Sequence, residues 1–116
     1  MFDDMTSDLR RSVLGAAMGN LALTYRELGR HRDALALEEK TLEFHRRALP
    51  ENHPYIGTSC FNISLSYRQA GDFHRAIEKA REALRIWQVT LPPSHPHVEQ
   101  AQKLVRQIEG NIARRV

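Results

Sequence analysis

The sequence predicts an all-α protein: a right-handed α-α superhelix made of two helical hairpins plus a C-terminal closing helix. Three observations predict it. First, the chain repeats itself at a spacing of 42. Asn20, Tyr25, Gly29, Leu49, His53 and Pro54 return as Asn62, Tyr67, Gly71, Leu91, His95 and Pro96. Gly15/Gly57, Leu23/Leu65, Arg26/Arg68, Ala34/Ala76 and Leu42/Leu84 share the offset without a gap. A fixed period of this size is the mark of stacked structural repeats. Second, apolar residues recur at spacings of three and four within each copy, which is the period of a helix face. Third, glycines and prolines fall between those periodic segments, where helical hairpins turn.

The first helix is expected to start at Thr6 or Ser7, as N-cap, with the Asp8 carboxylate in its first turn. It runs to Leu28 with a face of Val13, Leu14, Ala17, Met18, Leu21, Tyr25 and Leu28. Gly29 ends it, because glycine readily takes the left-handed conformation that closes a helix. The second helix, about His31 to Ala48, turns inward Ala34, Leu35, Leu37, Thr41, Leu42, Phe44 and Leu49, and Pro50 stops it. Pro54 suits the first position of the third helix, where its missing N–H is not needed. That helix runs to Ala70 with Ile56, Cys60, Ile63, Tyr67 and Ala70 on one face. Gly71-Asp72 makes the next turn. The fourth helix, Phe73 to Thr90, packs through Phe73, Ala76, Ile77, Ala80, Ala83, Leu84 and Trp87. The fifth, Pro96 to about Arg114, carries Ala101, Leu104, Val105, Ile108 and Ile112. There the repeat decays: Glu109 and Ala113 stand where Tyr and Gly should be, as expected of a closing helix with a polar outer side. Residues 1–116 are thus expected to form one domain, with repeat 1 at about 15–56, repeat 2 at about 57–98 and the closing helix at about 96–114.

Composition narrows the function classes. At 41% hydrophobic and 27% charged residues, the chain is an ordinary globular sequence. No apolar run is long enough to span a bilayer, and the acidic start Met1-Phe-Asp-Asp is not a secretory leader. The single cysteine, Cys60, precludes an internal disulfide and fits a reducing, cytoplasmic setting. Net charge is +3, but arginine is interleaved with glutamate along the helices, as in Glu78-Lys-Ala-Arg-Glu82. That is a solvated helix surface rather than a nucleic-acid footprint. The six histidines do not gather at ligand spacing, and no nucleophile elbow or phosphate loop occurs. No metal, cofactor or catalytic residue is therefore expected. His53 and His95 read as caps for the helices that follow them. Small residues at Ala22, Ala34, Ser64 and Ala76 read as helix crossings.

The order of Leu, small residue, Tyr, Gly, aromatic and Ala in each hairpin resembles the tetratricopeptide repeat. The longer period, with Leu49-Pro-Glu-Asn-His-Pro54 and Leu91-Pro-Pro-Ser-His-Pro96 between hairpins, is similar to the kinesin light chain type. In that type the loop reads close to Leu-Gly-Glu-Asp-His-Pro and the first helix close to Asn-Leu-Ala-x-x-Tyr. The resemblance covers Gly15 to about Gln107. Two departures stand out: Glu38 replaces a large apolar residue, with Ala80 in the second copy, and His31 replaces the aromatic that Phe73 retains. The first hairpin is expected to pack less tightly than the second.

The resemblance implies protein–protein interaction, without catalysis, by part of a larger scaffold or adaptor. In such stacks the first helix of each pair lines the concave face. Projection places Asn20, Leu23 and Arg26 there from the first copy, Phe61, Asn62, Leu65, Arg68 and Gln69 from the second, and Lys103 from the closing helix. An amide both donates and accepts, which suits gripping a peptide backbone, and asparagines at these positions contact peptide in the family. Arg26, Arg68 and Lys103 favour an acidic peptide. Phe61 and Leu65 are expected to form an apolar pocket, so the second copy and closing helix should hold most of the binding surface. Gly19, Leu23 and Leu104 occupy places where the family's carboxylate-clamp variant needs further basic residues, so that clamp is not expected. The alternative function is structural: self-association into homo-oligomers through the open repeat ends.

Overall fold

Two glycines close the two hairpins. In a computed structural model describing residues 2–115 (side chains from Leu9 onward, Ser12 excepted), the chain forms five helices. They are α1 (Phe2–Glu27), α2 (His31–Ala48), α3 (Pro54–Gln69), α4 (Phe73–Thr90) and α5 (Pro96–Arg114). Gly29 and Gly71 lie at φ of 79° and 81°, where other residues are strained. Behind each glycine the backbone makes the same pair of bonds. Gly29 N donates to Arg26 O and Arg30 N to Tyr25 O; Gly71 N donates to Arg68 O and Asp72 N to Tyr67 O. This doubled closure satisfies carbonyls that the helix end leaves open.

The other junctions are equally local. His53 accepts the N–H of Tyr55 on Nδ1 at 3.1 Å, and His95 accepts that of His97 at 3.0 Å. Each thus caps a helix whose first residue is proline. Asp72 caps α4 by accepting from Arg75 N.

Each helix packs on the next in sequence, so the hairpins stack into an α-α superhelix. The crossings are built on small residues: Ala22, Ala34, Ser64 and Ala76 are all fully buried. Ser64 offsets its desolvation by donating to Ala76 O at 2.7 Å. Two apolar clusters follow, and both lie mainly in the second half. Ile56, Cys60, Ile86, Trp87, Val98 and Ala101 gather around Leu42. Ile63, Tyr67, Ile77, Leu104, Val105 and Ile108 form the other. The first hairpin contributes little to either, as the intrusion of Glu38 predicts.

α1 departs from its expected form twice. Its backbone is helical from Phe2, so the helix starts ahead of Thr6 and Ser7, whose side chains lie outside the described residues. No proline or glycine interrupts residues 2–14, and aspartates near a helix start are favourable. Second, the expected inner face is not inner: Val13, Leu14, Leu21 and Leu28 are exposed, and Gly15 and Ala22 are the buried positions. The periodicity correctly marks an apolar stripe, but among the described residues α2 is the one helix that packs extensively on α1.

The Tyr67 ring joins the cluster with α4, and its hydroxyl donates to Glu39 of α2 at 2.6 Å.

Candidate functional site

The groove is lined by α1 and α3 and floored by α2. Between them lies a hollow of about 280 Å³. It brings together four of the expected residues, Asn20, Leu23, Arg26 and Asn62, with Glu38, Thr41, His45 and Ser59 beneath. A second, shallower depression brings together Leu65, Arg68 and Gln69 with the far side of Arg26. Lys103 is exposed on α5 and lines neither.

The hollow exists because the two copies differ at equivalent positions. In the second copy, Phe61 and Trp87 stand 5.4 Å apart between ring centres and fill the space between helices. Forty-two residues earlier the same places hold Gly19 and His45. A Cβ added at Gly19 would meet nothing within 4 Å. The ring that closes the second copy is absent from the first, and the hollow is its place. Phe61 itself packs against both core clusters and lines neither hollow. The hollow therefore lies between α1 and α3, where the first copy meets the second.

The floor is polar and incompletely satisfied. Glu38 is only 4% exposed. Its Oε1 lies 3.8 Å from Arg26 Nη1, while its Oε2 has no hydrogen-bond partner, nor has Ser66 Oγ. Burial pushes the Glu38 carboxyl above its ordinary range, opposed by the nearby Ser66 hydroxyl and Arg26 guanidinium. His45 Nδ1 shares a 2.7 Å hydrogen bond with Ser59 Oγ. Burial, and then the neighbouring His53, hold the His45 ring below its ordinary pKa, which favours the neutral form. Its far edge rests against Gly15, where any Cβ would collide with Nε2.

The walls carry free hydrogen-bonding capacity. Neither the Asn20 nor the Asn62 side chain bonds to another described residue; Asn62 contributes its backbone oxygen to Arg26 Nη1, at 3.4 Å. Arg26 is thus held between that carbonyl and Glu38. Arg68 donates to Asn111 Oδ1 at 2.9 Å and Gln107 Oε1 at 3.3 Å. Those acceptors are neutral, so the Arg68 charge is fixed in place without an anion.

Glu38 and His31 stood out in the sequence as packing departures, but Thr41, His45 and Ser59 did not stand out as site residues. Aligning the two copies position by position would have found His45, which takes the place of Trp87 as Gly19 takes that of Phe61.

Cys60 is fully buried, and burial with the neighbouring Glu82 carboxylate pushes its thiol up to about 12. Among the described residues, no three His, Cys, Asp or Glu side chains converge to hold a metal ion, and no helix is long and apolar enough to cross a membrane.

Residues 13–88 match the family model described as tetratricopeptide repeat. No curated protein matches. Among solved structures, a putative kinesin light chain with nearly identical TPR-like repeats from Podosopora anserina aligns with a TM-score of 0.77 at 21% identity. The alignment covers 85% of this chain and 47% of that one. A point variant of the same repeats aligns over the same shares with a TM-score of 0.76 and 21% identity. The chain therefore spans about half the length of these structures, and at this identity the likeness concerns the fold.

Proposed function

The chain belongs to the tetratricopeptide repeat family, and we propose that it binds an extended peptide of a partner protein along its concave face, with no catalytic step. Repeats of this family are generally protein–protein interaction modules. One observation carries the reading: a 280 Å³ hollow whose walls hold two uncommitted amides and whose floor holds an unpartnered carboxylate oxygen. Asn20 and Asn62 grip the peptide backbone from opposite walls. An aromatic side chain of the peptide enters the hollow and takes the place that Phe61 fills in the second copy. Leu23 and Leu65 border its path. Arg68, fixed by neutral amides, and the exposed Lys103 attract acidic residues further along, past Gln69. The setting is cytoplasmic, in keeping with a buried free thiol, and the chain serves as part of a scaffold or adaptor.

The test is titration with acidic peptides that contain an aromatic residue. Gly19→Phe plugs the hollow from within, where nothing stands in the way of its Cβ. It should weaken binding at least tenfold while the fold is retained. Asn20→Ala with Asn62→Ala removes two neutral hydrogen bonds, about 1–3 kcal/mol together, or roughly 5- to 150-fold in Kd. Unchanged affinity in both variants overturns the proposal. A second reading, association between copies, rests on a different surface, the uncovered apolar face of α1.

A further inference from the structure

The two groove arginines are equivalent in the repeat but are held differently. Arg68 reaches α5 and donates to the neutral oxygens of Asn111 and Gln107. Arg26, 42 positions earlier, reaches Asn62 O on α3 at 3.4 Å and lies 3.8 Å from Glu38 Oε1 on α2. The second copy has no such carboxylate, because Ala80 stands in the place of Glu38. Both contacts of Arg26 are long for their kind, so neither holds it firmly.

Arg26 also stands where the two depressions meet. Its side chain is 16% exposed and lines both the hollow over Glu38 and the shallower depression of Leu65, Arg68 and Gln69. Among the described residues, that depression is lined by two arginines and by no Asp or Glu. A carboxylate matches the planar fork of a guanidinium, and the half-buried setting shields the pair from water.

We propose that the shallower depression is a subsite for a carboxylate of the bound peptide, and that Glu38 competes with this carboxylate for Arg26. Arg68 receives the ligand as it stands. Arg26 completes the subsite by turning from Glu38 toward it. This deepens the peptide-binding reading and rests on that reading for its partner. The exchange draws in a proton. Arg26 of α1 and the Ser66 hydroxyl of α3 face Glu38, and its own helix places His45 further along the floor. Burial pushes the Glu38 carboxyl up, while Ser66 and Arg26 pull it down. Once Arg26 turns away, one of those opposing influences is gone, and Glu38 takes up a proton from solvent more readily. Binding of an acidic peptide should therefore tighten as pH falls, since linked equilibria act on each other equally.

The test is calorimetry at about pH 5 and pH 7 with an acidic, aromatic-containing peptide, beside the same peptide with Asn and Gln for its acids. Glu38→Gln frees Arg26 and should bind the acidic peptide about fivefold more tightly than the parent at pH 7. That advantage should shrink toward pH 5, where the parent catches up. Histidines also charge over this range, so the difference between parent and Glu38→Gln is what counts. The neutral peptide should distinguish the two proteins at neither pH. Glutarate, a small dicarboxylate, probes the subsite without a peptide. It should shift the Nε–H NMR signals of Arg26 and Arg68 together and raise the titration midpoint of the Glu38 carboxyl carbon. An acidic peptide that binds parent and Glu38→Gln alike at both pH values overturns the exchange and leaves peptide binding standing. Glutarate that moves neither arginine overturns the subsite. If neither peptide binds while glutarate moves both arginines, the peptide-binding reading fails and the carboxylate subsite stands.

Discussion

Replacing Glu38 by methionine should make the protein more stable at neutral pH. The carboxylate sits 4% exposed on the floor of the hollow, with one oxygen lacking any hydrogen-bond partner. A buried acceptor left unmade costs about 1–3 kcal/mol. Its ion pair to Arg26, at 3.8 Å between two largely buried side chains, is long, so desolvation offsets most of the Coulombic gain. Arg26 also keeps a contact to the Asn62 carbonyl. The second copy holds Ala80 at this position, so an apolar group is already accommodated there once. The net gain is about 1–2 kcal/mol. For a chain of this size each kcal/mol moves Tm by about 3–6 °C, so the rise should be about 3–12 °C.

The pH dependence separates this cause from better packing alone. Burial raises the folded pKa of Glu38 above its ordinary 4.5. The folded state therefore favours the protonated acid. Glu38's contribution is most favourable below pH 4.5 and is lost as pH rises through the folded value. The advantage of Glu38→Met should be full at pH 7 and should shrink as pH falls toward 4.5. Glu38→Gln, which removes the charge and keeps the shape, should fall between. Thermal melts from about pH 4 to 7 read all three. A methionine variant less stable than the parent at pH 7, or an advantage that does not change with pH, refutes the reasoning.

Other expectations follow from single contacts. Gly57→Ala should destabilise by about 1–3 kcal/mol in urea unfolding, because its Cβ would lie 2.5 Å from the Trp87 ring nitrogen, which is itself held by Pro54 O. Gly19→Ala should instead stabilise by about 0.5–1 kcal/mol, since it adds helix propensity in open space. Gly71→Ala should cost about 1–2 kcal/mol, because φ of 81° strains any other residue. Cys60, with its thiol pushed up to about 12, should resist a thiol reagent at pH 8 in the folded protein and react on unfolding.

The sequence by itself determined the helices. Four of the five begin and end within one residue of where the repeat and its glycines, prolines and capping histidines place them, because those signals are local. The repeat also determined which side chains are equivalent, and hence the small residues at the crossings and the groove positions of Asn20 and Asn62. What it could not determine is whether equivalent positions share an environment. Leu21 and Ile63 occupy the same place in the repeat, yet one is exposed and the other buried, because α2 covers α3 and nothing described covers that side of α1. Gly19 and Phe61 are equivalent, yet one opens a hollow and the other fills it. Burial belongs to the neighbours as much as to the residue. Only the tertiary structure therefore decided that a hollow opens between α1 and α3, that a Glu38 carboxylate oxygen on its floor lacks a hydrogen bond and that α1 presents an apolar face.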